Sequence, residues 1–159
     1  MNRFSPLAGL LSALLLTTAA AQAGETFSVV QDKPELVHID LGKPGASHGD
    51  MLAFEAGFTT PDGKKGTMSG LITTVDVPDG DKDTFFDRLA DIVLDFGGTD
   101  TLVIAGRSVY AVGAGEMVVD APQVRAIVGG TGRFIGKRGQ MTTTRRDAGH
   151  YEHKIELVD

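Results

Sequence analysis

Residues 127–136 read IVGGTGRFIG, an apolar run feeding a cluster of glycines. Two architectures place such a cluster there. In a dinucleotide-binding domain, a strand delivers the pyrophosphate to a glycine turn and the N-terminus of the next helix. In an antiparallel β-protein, glycines let the backbone turn or let two strands cross closely. Only 23 residues follow Gly136. They read as two β segments, 140–146 and 150–158, around the turn Asp147-Ala148-Gly149. No helix follows. Glu156 falls about 20 positions on, where a ribose-binding acid belongs, but it lies on the last strand. Arg133 also interrupts the spacing between GGTG and FIG. The glycines therefore read as β-turn and crossing residues.

Working outward, the preceding chain has the same character. Residues 50–60 alternate: Leu52, Phe54, Ala56 and Phe58 share one face, Ala53, Glu55 and Gly57 the other. A period of two is the mark of a half-buried strand. Pro61-Asp62-Gly63-Lys64-Lys65-Gly66 has turn chemistry, and the β-branched run GTMSGLITTVDV completes a hairpin. Residues 101–110 and 124–128 read as further strands, and 36–41 as an early one. Residues 83–97 fit two patterns. Phe85, Phe86, Leu89, Ile92 and Val93 suit a helix face. Phe86, Ala90, Ile92, Leu94 and Phe96 share one strand parity, with Asp87, Asp91 and Asp95 on the other. A strand is expected from Asp91, and residues 84–91 stay open between strand and helical turn. Many short antiparallel strands with glycine turns indicate an all-β sandwich or closed barrel.

The N-terminus has its own pattern. Arg3 precedes an apolar run from Leu7 to Ala20, and Ala21-Gln22-Ala23 is a small-x-small cleavage site. This is the pattern of a Sec-type signal peptide. Residues 1–23 are expected to be removed, leaving residues 24–159 as a single domain in the periplasm or outside the cell, with no membrane association after cleavage. Of 159 residues, 136 remain, and loss of Arg3 takes the net charge from −6 to −7. One core suits that length. There is no cysteine, so neither disulfides nor thiolate metal sites are available. The acidic balance argues against nucleic acid. The one basic cluster, Arg133, Lys137, Arg138, Arg145 and Arg146, is flanked by acidic residues.

The segment VRAIVGGTGRFIGKRGQM resembles the signature of the allene oxide cyclase and dirigent barrels: an apolar strand, then GGTG-x-F-x-x-x-x-G. The residues that carry the resemblance are Val128, Gly129, Gly130, Thr131, Gly132, Phe134, Arg138 and Gly139. Gly49-Asp50-Met51-Leu52-Ala53-Phe54 is similar to that superfamily's glycine-aspartate strand start, and Gly66-x-x-x-Gly70 to its following hairpin. The resemblance spans residues 34–158. It implies an eight-stranded antiparallel β-barrel with a largely apolar cavity, no cofactor, and assembly as a homo-oligomer, trimer or dimer. It also implies a small hydrophobic ligand. Such barrels cyclise an unstable epoxide or steer the coupling of phenol radicals, and shape does the work.

Aligned on the family's first strand, His38 falls where plant cyclases carry a glutamate and Asp40 where they carry an asparagine. Two apart, they share a strand face. The resemblance thus assigns a catalytic couple, His38 as proton carrier and Asp40 as its partner. The rival placement turns both to solvent, with Val37, Ile39 and Leu41 filling the barrel. The chain departs from plant cyclases at Ala56 and Ile72, and dirigent proteins hold their His-Asp pair without the intervening Ile39. Phe54, Phe58, Phe96, Tyr110, His153 and Ile155 are the candidate ligand-binding residues. His153 shares an apolar face with Tyr151, Ile155 and Leu157. Arg138 is assigned to support of the glycine loop.

No metal site is expected. His150 and His153 point to opposite faces of a strand. Asp79, Asp81 and Asp83 alternate like half a calcium loop but lack the distal glutamate. The alternatives to a cofactor-free cyclase, isomerase or stereochemistry-directing protein are a lipocalin-like carrier and a structural or partner-binding barrel.

Overall fold

A computed structural model describes residues 24–78, 85–112 and 115–158. Residues 1–23, expected to be a signal peptide, and the Asp79, Asp81, Asp83 stretch lie outside the described residues. Nine strands follow in order: β1 Thr26–Gln31, β2 Glu35–Ile39, β3 Met51–Thr59, β4 Lys65–Asp76, β5 Phe85–Asp95, β6 Thr101–Ala111, β7 Gln123–Gly130, β8 Arg138–Arg145 and β9 Tyr151–Val158. All neighbouring strands are antiparallel, in the order β1-β9-β8-β7-β6-β5-β4-β3-β2.

Closure is made by β1. It pairs with β9 from Thr26↔Glu156 to Gln31↔Tyr151, and with the end of β3 at Val30↔Thr59 and Gln31↔Phe58. The result is an eight-stranded antiparallel barrel with β2 as an extra strand. β2 continues along the same edge of β3, from Glu35↔Glu55 to Ile39↔Met51. Pro34 separates it from β1, and proline has no N–H to keep the ladder running.

Residues 84–91, open between strand and helix in the sequence, resolve from Phe85 onward as strand. β5 pairs with β6 along its whole length, from Phe85↔Ala111 to Asp95↔Thr101. β1 is the strand that the sequence reading leaves out. It is six residues long and buries only Val29 and Gln31 fully.

The barrel interior is filled by alternate residues of every strand, as a pleated wall requires. One end is plugged with aromatic rings. Phe58 and Phe134 are each 1% exposed. Phe96 contacts both, with ring centroids 5.1 Å away in each case, and Phe27 packs alongside. Arg133 lies over Phe134 and Phe96, at 4.4 and 5.5 Å from the ring centroids.

The glycine stretch builds this plug. After β7, Gly132–Phe134 make a single 3-10 turn that drops Phe134 into the barrel, and no longer helix follows. A Cβ on Gly130 would stand 2.4 Å from the carbonyl oxygen of Thr101 and 2.7 Å from Cβ of Phe134. Gly132 has φ +57°, and a Cβ there would meet the Asp100 carboxylate. The loop is then tied to the β5–β6 turn. Thr131 N–H donates to Thr101 O at 2.9 Å, and Arg133 N–H to Asp100 Oδ1 at 3.0 Å.

One irregularity matters for the interior. The β6–β7 pairing runs Ile104↔Ile127 and then Val103↔Gly129, so Val128 is an extra residue, a β-bulge. Before it, Arg125 and Ile127 face inward; past it, the inward position shifts to Gly130 opposite Leu102.

These contacts set a stability test. Gly130→Ala forces a methyl group against fixed backbone and is expected to cost roughly 2–3 kcal/mol by the usual cost of overpacking. Gly136→Ala, with φ +78° but open space around it, is expected to cost only about 1 kcal/mol of backbone strain. Urea unfolding of the two variants checks the order; equal losses would mean that the close crossing is not the reason for the glycine.

Candidate functional site

At the end opposite the aromatic plug the inward residues turn polar. β7 supplies Arg125, β6 Ser108 and Tyr110, β8 Thr143, β9 Tyr151 and His153, and β1 Gln31. All are buried, from 0% exposed at Ser108 to 8% at Tyr151. Strand register puts them together: Thr143 faces His153 and Gln31 faces Tyr151 across the ladders.

Arg125 is the hub. Its Nε and Nη2 donate to Ser108 Oγ at 2.8 and 2.6 Å, Nη1 to Thr143 Oγ1 at 3.2 Å, and Nη2 also to Gln123 Oε1 at 3.3 Å. Every partner is neutral. Among the described residues no carboxylate forms an ion pair with it. Burial pulls its pKa below the ordinary arginine value, and the nearby tyrosines Tyr110 and Tyr151 act the other way. Arginine nevertheless stays charged, so a positive charge is held inside the barrel by oxygen dipoles alone.

That charge orders its neighbours. Thr143 Oγ1 accepts from Arg125, so its own proton points to His153 Nδ1, 3.0 Å away. His153 Nε2 then carries the ring proton and donates to Gln31 Oε1 at 2.8 Å. Burial, reinforced by the Arg125 charge, pushes the imidazole pKa down to about 3. His153 is a neutral, fixed hydrogen-bond link at ordinary pH. The two phenols also stay protonated. Burial raises both, opposed at Tyr110 by Arg125 and Arg88 and reinforced at Tyr151 by Glu116.

A cavity of about 40 Å³ lies against this cluster. Its apolar wall includes Leu36, Leu52, Phe54, Met68, Ile72 and Ile92. Met117, 3% exposed, covers one side, with Sδ 3.9 Å from Arg125 Nη2. The loop carrying Met117 is tied down by the Glu116–Arg145 ion pair and by the Asp120 N–H bond to Arg145 O. Leu52 also borders a wider chamber at the barrel mouth, about 290 Å³, lined by His38, Asp40, Asp50, Thr74, Phe86 and Arg88 among others.

The residues singled out in the sequence divide between these places. Phe54, Tyr110 and His153 line the inner cavity. Phe58 and Phe96 belong to the aromatic plug at the other end, and Ile155 is packed in the core at 0% exposure. His38 and Asp40 are both exposed and border the mouth chamber, and Asp40 accepts a bond from Gly45 N–H at 3.1 Å. Of the rival arrangement, the exposure of His38 and Asp40 is seen and Ile39 is half-buried at the mouth chamber, but Val37 and Leu41 are 58% and 43% exposed and do not fill the barrel, and Leu36 faces the cavity instead. Of the glycine signature, Gly130, Thr131, Gly132 and Phe134 make the plug contacts above. Gly129 meets nothing nearby, Gly139 has a backbone oxygen where a Cβ would be, and Arg138 is exposed at the start of β8.

Sequence reasoning missed Arg125, Arg88, Ser108, Thr143 and Gln31. The signal was present in parity. Arg88 lies in register with Phe86, Ala90 and Ile92, and Arg125 with Ile127, each a charge on an otherwise apolar face.

The sequence matches no protein-family model and no curated protein sequence. Solved structures do resemble it. A pyocyanin demethylase superposes with TM-score 0.62 at 23% identity, over 84% of this chain and 100% of its own. A Diels-Alderase from Streptomyces koyangensis gives TM-score 0.63 at 19% identity, over 86% of this chain; the match spans 64% of that protein. A pterocarpan synthase dirigent protein gives TM-score 0.55 at 19% identity, over 94% and 98%. The likeness is one of fold: the chain shares an antiparallel β-barrel with these proteins.

The His153 environment makes a pH prediction. Its folded pKa, about 3, lies below the ordinary 6.5, so the unfolded chain binds the extra proton first. Stability from this group is therefore complete above pH 6.5 and falls as pH drops toward 3, by about 1.4 kcal/mol per unit. Between pH 6.5 and 5 the wild type is expected to lose about 2 kcal/mol more than His153→Gln. Urea titrations at the two pH values measure it; parallel losses in both proteins would show that the imidazole is not buried neutral.

Proposed function

We propose that this barrel binds a small, largely apolar molecule bearing an acidic or polarisable oxygen, and that it guides a cofactor-free cyclisation or isomerisation of that molecule. The observation that carries the reading is Arg125: a buried guanidinium with only neutral partners, beside an apolar cavity. A buried charge is costly unless something compensates it. A ligand oxygen that gains negative charge would do so, and a fixed cation in a dry site stabilises that charge most where it develops, in the transition state.

In this reading the roles divide by position. Arg125 holds the oxyanion. Tyr110 and Tyr151 supply protonated phenols beside it. His153 fixes Thr143, and through it the guanidinium. The apolar wall of Leu36, Leu52, Phe54 and Ile72 holds one conformer of the ligand. His38 with Asp40, at the wet mouth, is assigned to proton exchange with solvent. Proteins named as a demethylase, a Diels-Alderase and a pterocarpan synthase share this fold, which supports a catalytic use of it. With its leader removed, the protein would work in the periplasm or outside the cell.

A second reading, a carrier or structural barrel without chemistry, is favoured by the inner cavity's volume of about 40 Å³. Ligand pockets usually have room for about 300 Å³ or more. Under the first reading the ligand occupies the mouth chamber as well and displaces Met117.

Native mass spectrometry of protein purified from its own host tests the proposal. The wild type is expected to retain a small acidic organic molecule, and Arg125→Gln to lose it. At a concentration near 100 times its Kd, the same molecule should stabilise the wild type by about 2.7 kcal/mol. An empty wild type that no apolar acid stabilises would sink this reading and leave the packed barrel.

A further inference from the structure

The mouth chamber contains a second cation that the proposed reaction does not use. Arg88, on β5, is 8% exposed. Its guanidinium lies 4.8 Å from the ring centroids of both Phe86 and Tyr110. Nε donates to Thr74 Oγ1 at 3.2 Å. Nη1 is buried and has no hydrogen-bond partner among the described residues. A guanidinium N–H left unpaired in a buried position costs free energy, and Arg88 borders a chamber of about 290 Å³.

The carboxylates nearest in that chamber are already engaged. Asp50 Oδ1 accepts from Leu41 N–H and Ser47 Oγ, both at 2.9 Å, and Oδ2 accepts from Ser47 N–H at 2.6 Å. Those bonds hold its pKa below the ordinary value and keep it ionised. Asp40 accepts from Gly45 N–H. Neither is hydrogen-bonded to Arg88. Asp50 acts on it through space, and both carboxylates also repel whatever anion arrives.

We propose that Arg88 is a recognition subsite for a single carboxylate carried on an apolar body, bound at the mouth against the guanidinium. This rests on the pocket reading above and specifies its ligand. Planar carboxylate matches the edge of a guanidinium whose surroundings are aromatic. Ile39, Met51, Leu52 and Phe86 give the body an apolar lining. The two rim aspartates exclude multiply charged anions such as phosphate, since each added negative charge meets two fixed ones. The ligand so described has its carboxylate at Arg88 and its reacting oxygen at Arg125, with Tyr110 between the two cations.

Isothermal titration with three probes tests this on the whole protein: cinnamate, neutral cinnamamide and inorganic phosphate. Cinnamate is expected to bind about tenfold or more tightly than cinnamamide, the usual worth of a charged hydrogen bond, and phosphate more weakly than either. Arg88→Gln should abolish the preference, bringing the two affinities to within about twofold of each other. Arg88→Lys, which keeps charge but not the planar edge, should retain part of it. Circular dichroism confirms that each variant is folded, and the wild-type comparison needs no variant. Equal binding of cinnamate and cinnamamide overturns the mouth subsite while leaving the pocket reading intact. A preference that survives Arg88→Gln and disappears in Arg125→Gln also overturns it, by moving the anion to the inner cation. Phosphate as the tightest probe overturns the assigned ligand class. If neither organic probe saturates, the subsite is overturned, and mass spectrometry of the host protein decides the pocket reading separately.

Discussion

A sheet that closes on itself has an inside, and here closure depends on one six-residue strand. β1 joins β9 along its whole length but holds β3 through only two register pairs. Once closed, every second side chain faces an interior sealed from water except at the ends. One end is filled with four phenylalanines. The other therefore has to satisfy its polar groups from within, and it does so with serine, threonine, glutamine and histidine arranged around a guanidinium.

That arrangement has a direction. Starting from Arg125, each group's donor is fixed by the one before it: guanidinium to Thr143, Thr143 to His153, His153 to Gln31. A histidine in such a chain is held in one tautomer and is unable to take up a proton without breaking a bond at Thr143. Its role is to keep geometry, and the charge that matters electrostatically is arginine's. The expected proton carrier, His38, lies outside this chain, on a strand that borders the mouth.

How much of this could be read from the residues differs by element. The hairpin β3–β4 was plain because Leu52, Phe54, Ala56 and Phe58 alternate cleanly and a glycine-rich turn follows. The glycines of residues 129–132 excluded a nucleotide fold because no helix could follow them. β5 was legible only in part, since its phenylalanine pair and spaced leucines satisfy two periods at once; pairing with β6 along its full length decides for strand. β1 escaped notice because it is short and adjoins the N-terminal segment set aside as an expected leader. The cluster around Arg125 escaped for a different reason. Sequence pattern assigns a residue to a face, but it does not say that five strands bring their polar exceptions to the same height in the barrel. The Val128 bulge adds to this, since parity counted along β7 changes face after it.

Among the described residues β2 pairs with β3 alone, and so has a neighbour on one side only. A free β edge is a template on which other chains can stack. This one is five residues long, begins just after Pro34 and carries Glu35 and His38, and each of these features discourages a foreign strand from docking there. The seam that interrupts the barrel thus also guards it: this stretch of edge is too short and too charged to offer a foreign strand a backbone rim on which to stack.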